Sequence, residues 1–130
     1  MPELVSEPTR VPVPGGKTID EFVGHVSTGT GGVSVAMMQA PAGWSEPFQV
    51  PDFDEVTLVL VGAVHVEHGD GEVLEVRAGQ AVLTRAGERV RYSAPMGADY
   101  VAVCSPAFEP AAAHRESEPE GEGAAGEGAS

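Results

Sequence analysis

The chain has 130 residues, a net charge of −13 at neutral pH and one cysteine. That length suits one domain with a modest core, and the charge argues against nucleic acid, whose phosphates call for a basic footprint. A lone cysteine leaves neither an internal disulfide nor a multi-cysteine zinc site, so Cys104, inside the apolar run YVAVC, reads as a small buried hydrophobe.

The N-terminal stretch MPELVSEPTRVPVPGG (1–16) reads as an extended arm. Its acids and prolines stand where a signal peptide would carry a basic and then an apolar segment. No apolar run approaches the ~20 residues of a membrane span, so a cytoplasmic protein is expected, without membrane partners. TIDEFVGHV follows, with Thr18 and Glu21 at capping-box spacing, so a helical turn could precede a strand there. Short runs rich in β-branched residues then alternate with turn signals: GVSVAMMQA, EVTLVLV, AVHVEH, EVLEVR, QAVLT, RVRYSA and YVAVC. Such spacing, with no convincing helical stretch, predicts an all-β sandwich or barrel. Two hairpins are expected: one at Gly62, which lets the chain bend or pack closely between two apolar strands, and one at Asp70-Gly71, a two-residue hairpin signal. From Glu109 on, six acids accompany one base, and the composition is Gly, Glu, Ala and Pro without apolar period. The expected division is a barrel domain over 1–112 and a disordered tail over 113–130.

EVTLVLV carries apolar residues on both faces: Glu55, Thr57, Val59 and Val61 on one, Val56, Leu58 and Leu60 on the other. One face is expected to line a barrel. The other would pack on a second layer or another subunit, which favours a homodimer; cover by the chain's own N-terminal segment is the alternative.

Gly43, Gln49, Pro51, Glu55 and Gly62 follow the spacing G(X)5HXH(X)3–4E(X)6G, and Gly79, Arg85, Gly87 and Val90 follow G(X)5PXG(X)2H. In these two motifs the chain resembles the cupins, small single-domain bacterial members in particular. The resemblance implies an all-β jelly-roll barrel, commonly dimeric, with an internal pocket. It also implies four metal-ligand positions, which here hold Gln49, Pro51, Glu55 and Val90. Three of the four lack the expected histidine, and one carboxylate rarely holds a transition metal against water. His65 and His68, three apart on a strand, fall on opposite faces, His25 is distant in sequence and His114 lies in the tail. Neither a metal nor any other cofactor is therefore expected.

If Glu55 points inward, as its counterpart does in the cupins, Thr57 and Val59 follow it, and Val90 and Tyr92 share an inner face. Of the two parities of GVSVAMMQA, Ser34, Ala36 and Met38 or Val33, Val35, Met37 and Gln39, the second is assigned to the interior. Trp44, Phe48 and Gln49 are placed near the mouth, and Tyr100 on the last strand. The expected catalytic groups are Glu55 as acid or base, with Tyr92 and Gln49 polarising a carbonyl. Met37, Gln39, Trp44, Phe48, Thr57, Val59, Val90 and Tyr100 are the expected substrate contacts. The expected function, by analogy with metal-poor cupins, is a cofactor-independent cyclase or isomerase acting on a hydrophobic, polyketide-like small molecule in natural-product biosynthesis. The alternatives are a non-catalytic small-molecule sensor or carrier, and a metal-dependent cupin joining Glu55, Gln49 and a histidine.

Overall fold

A computed structural model describes residues 1–117 as nine strands and one helical turn. The strands are β1 (Thr9–Val11), β2 (Thr18–Val23), β3 (Ser34–Ala40), β4 (Trp44–Ser45), β5 (Asp54–His68), β6 (Glu72–Arg77), β7 (Ala81–Thr84), β8 (Val90–Ala94) and β9 (Ala98–Ser105). The helical turn, α1, is Pro110–Ala113. All pairings are antiparallel. One layer runs β1-β2-β3-β9-β5 with β7 on the far edge of β5, and the other gathers β6, β8 and β4 around the second half of β5.

β5 therefore belongs to both layers. Its first half pairs with β7 and β9, and its second half with β6 and β8. The change of layer comes at Gly62, after a register shift between Val59 and Val61; no hairpin forms there as expected, since β5 continues to His68. Gly62 has φ +78°, and a Cβ there would lie 2.3 Å from the Gly97 carbonyl oxygen. The bend thus needs both glycine's left-handed backbone and its missing side chain.

Val59, Val64, Val66, Val90, Tyr92 and Tyr100 form the buried cluster between the layers. Phe53, Cys104 and Ala113 form a smaller cluster, flanked by Phe108. The outward parity of β5, with Val56, Leu58 and Leu60, stays exposed beside Leu83 of β7. The inward-outward assignment of β5 holds up to Val59, after which the register shift leaves Val61 exposed.

Several expectations are corrected. β3 faces inward with Ser34, Ala36 and Met38, while Val35 and Met37 are half-buried on the other face and Gln39 is exposed. The expected parity failed because the outer surface of this layer is itself apolar, and because Tyr92 and Tyr100 already fill much of the inside. Ser34 and Ala36 pair with Cys104 and Ala102, small against small. The β5–β6 loop has three residues, Gly69 to Gly71, with both glycines at positive φ, since His68 pairs with Glu72. Thr18 opens a strand directly, paired to Gln39, with no helical turn. The chain also stays on the barrel past residue 112. Ala113 is fully buried, His114 Nε2 lies 2.6 Å from Asp52 Oδ2, and Arg89 bonds Glu116. The rest of the expected tail, 118–130, lies outside the described residues.

Candidate functional site

A cavity of about 480 Å³ opens between the two layers, bounded by β1, β2, β3, β9 and the C-terminal turn, with Glu55 reaching it from β5 and Tyr92 from β8. Alternation along the strands supplies its inner wall: Ile19 and Glu21 on β2, Ser34, Ala36 and Met38 on β3, Tyr100, Ala102 and Cys104 on β9. Small residues on β3 and β9 leave the space that the tyrosines do not fill.

Six charged side chains line it, Lys17, Glu21, Glu46, Glu55, Glu109 and Arg115, together with His25. Glu21 accepts from the Val26 and Ser27 amides, and Glu109 faces His25. Lys17, just before β2, is 8% exposed and is the sole lysine of the sequence. Its ammonium lies 4.1 Å from the centre of the Trp44 ring and 5.4 Å from that of Tyr100. Aromatic faces attract a cation held in this way. Burial lowers the Lys17 pKa, with Arg115 acting in the same direction and Glu46 and Glu55 opposing. Arg115 donates to Gln49 Oε1 at 3.1 Å and lies 3.5 Å from Glu46 Oε1.

Glu55 is raised from the usual carboxylate range to about 7, first by burial and then by the charge of Glu46, with Lys17 and Arg115 opposing. Its carboxyl makes no hydrogen bond or ion pair among the described residues. A carboxyl titrating near neutrality can give or take a proton at physiological pH. Tyr92 donates its hydroxyl to Thr84 Oγ1 at 2.9 Å. Burial holds the pKa of both Tyr92 and Tyr100 well above the usual phenol value, so both stay protonated donors. Burial also pushes the Cys104 thiol up, which removes it as a ready nucleophile.

Of the residues expected in the site, Glu55, Gln49, Tyr92 and Tyr100 line the cavity. Gln49 and Val90 are bridge partners, so the two motifs meet in space, in keeping with the shared site that the cupin resemblance implied. Val90 and Val59 belong to the core rather than the cavity wall, and Thr57 is fully buried, its hydroxyl without a hydrogen-bond partner among the described residues. Trp44 packs on the core beneath Lys17, while Phe48 lies under the guanidiniums of Arg89 and Arg91. Met37 and Gln39 do not face the cavity, for the reason of parity already given. Sequence reasoning missed Lys17, Glu46 and Arg115. Two signals were present: Lys17 is the chain's single lysine, and Arg115 the single base of its acidic end.

Among the described residues no cluster of three or more His, Cys, Asp or Glu is arranged to hold a metal ion. His65 lies 3.4 Å from Glu75 and His25 3.7 Å from Glu109, both near the surface. No helix among the described residues is long and apolar enough to cross a membrane.

No family model matches the chain. A curated relative from Myxococcus xanthus, named Endoribonuclease YbeY, is 47% identical over 108 residues, which are 82% of this chain and 36% of the relative. The chain thus spans about a third of the relative's length. That finding corrects the expected cyclase or isomerase of natural-product biosynthesis, and with it the exclusion of nucleic acid and the hydrophobic small-molecule partner.

Among solved structures, an RmlC-like cupin from Shewanella frigidimarina aligns with a TM-score of 0.67 at 18% identity, covering 82% of this chain and 91% of its own. The EutQ protein of Clostridium difficile aligns at 0.59 and 17% identity, over 72% of each chain. Two antiparallel layers joined through β5 and these structural similarities agree: the chain has the cupin fold.

Proposed function

We propose that this chain serves RNA cleavage in the cytoplasm, as a ligand-binding barrel that accompanies an endoribonuclease. The observation that carries the reading is the 47% identity to about a third of a protein named an endoribonuclease. Since the matched part is the smaller part of that protein, the reading assigns the barrel an accessory role and leaves strand cleavage to other sequence. The acidic surface of the chain fits this division, because it would repel an extended RNA backbone. Deleting the gene in its own host and mapping RNA ends across the transcriptome tests the reading. Cleavage ends should be gained or lost and should return on complementation; an unchanged set of ends would refute it.

A second reading is favoured by one observation, the Glu55 carboxyl raised to about 7 beside Lys17 and Arg115. In it, Glu55 takes the proton of a ribose 2′-hydroxyl, the 2′-oxygen attacks the adjacent phosphorus, and the bond to the 5′-oxygen breaks, the leaving oxygen taking a proton from water. The two cations would offset charge on the phosphorane. Purified chain should then cut labelled single-stranded RNA without added protein, and Glu55→Gln should lose about a hundredfold or more in rate. RNA left intact by purified wild-type chain excludes this version alone.

A further inference from the structure

Lys17 and Glu55 carry opposite charges, face the same cavity and do not touch. Neither has a hydrogen bond or ion pair among the described residues, although Lys17 is more than nine-tenths buried. Burying an ammonium costs several kcal/mol unless it is compensated, and the faces of Trp44 and Tyr100 offset only part of that. The other charged groups of the cavity are already engaged: Arg115 with Glu46 and Gln49, Glu21 with the Val26 and Ser27 amides, and Glu109 with His25. The arrangement leaves one strong donor, one carboxyl and the Tyr100 hydroxyl turned to a space of about 480 Å³, within the size range of small-molecule sites.

We infer that the cavity binds a small organic anion, its carboxylate or phosphate seated on the Lys17 ammonium and a hydroxyl or amino group of the same molecule donating to Glu55. Complementarity sets this class. A neutral apolar ligand would leave both groups unpaired, and a cation would meet the ammonium head-on. The anion needs a donor at its other end because Glu55, where ionised, offers only acceptors. Tyr100 borders the same space and adds a donor to the anionic end. The inference stands on the cavity alone and does not depend on the RNA reading.

Because Lys17 is the sole lysine, amine-directed acetylation of the full chain reports on it alone once the N-terminal amine is resolved by peptide mass spectrometry. The probes are adenosine 5′-monophosphate and gluconate, a phosphate monoester and a hydroxycarboxylate, with inorganic phosphate as the minimal anion. At least one should bind one-to-one by calorimetry and slow Lys17 acetylation. Lys17→Met should weaken binding about tenfold or more, as for a lost hydrogen bond to a charged group. Nucleotide binding alone would identify a phosphate ligand, and gluconate binding alone a carboxylate; either supports the site. Failure of every probe to bind the wild-type chain by calorimetry, or binding that leaves a measurable Lys17 acetylation rate unchanged, overturns it. Neither outcome needs a variant, and both hold even if Lys17→Met fails to fold. RNA-end mapping reads a different property, so either proposal can fail without the other.

Discussion

At the scale of single residues, Glu55 couples the cavity to pH. Its carboxyl binds a proton more tightly in the folded chain, near 7, than in the unfolded chain, near 4.5. Its effect on stability is therefore most favourable below 4.5, declines as pH rises through that window, and changes no further above about 7. The shift corresponds to at most about 3 kcal/mol, reduced by whatever solvent reaches the cavity. Glu55→Gln removes this dependence. The melting temperature of the variant relative to wild type should rise between pH 4.5 and 7 and then level off; a difference that ignores pH would mean Glu55 is unperturbed. Glu55, Gln49, Tyr92 and Tyr100 were legible in the sequence because motif spacing and two-residue alternation place them. Lys17, Glu46 and Arg115 come from segments flanking the strands, where no period tells which side chain turns inward.

At the scale of elements, the strands were legible and their facing was not always so. The inner face of β5 was legible through the cupin resemblance, which turns Glu55 inward and carries Thr57 and Val59 with it. β3 offered no such anchor, and the apolar side lies outward. Parity there follows from pairing with β2 and β9, which a local window does not contain. Gly62 was legible as a bend because a glycine interrupts fifteen residues that otherwise read as strand. Gly62→Ala should cost about 2 kcal/mol or more, since the new methyl meets the Gly97 carbonyl and the backbone sits at positive φ. Denaturant unfolding would measure it, and a loss below 0.5 kcal/mol, the usual scale of a neutral surface change, would show that the bend relaxes easily.

At the scale of the molecule, the segment after β9 closes the barrel. It carries Ala113 into the second cluster, Arg115 to Gln49 and Glu116 to Arg89. Composition marked this end as acidic and poor in apolar residues. It could not show that one alanine and one arginine within it have places waiting on the barrel. A chain ending at Ala112 should melt several degrees below one ending at Ser117, on the order of 2 kcal/mol less stable. Equal melting temperatures would show that these contacts add nothing.

The passage of β5 from one layer to the other bears on how the molecule comes apart. Two sheets packed face to face can in principle separate and melt in turn, but here each holds half of one strand. Loosening either sheet frays the strand that the other is built on, so partial opening gains little freedom for the contacts it gives up. Trp44, in the β4–β8 layer, and the β1–β2–β3 strands, at the far edge of the other, should lose structure in one transition. Tryptophan fluorescence and far-ultraviolet circular dichroism, read on the same sample, should trace superimposable curves.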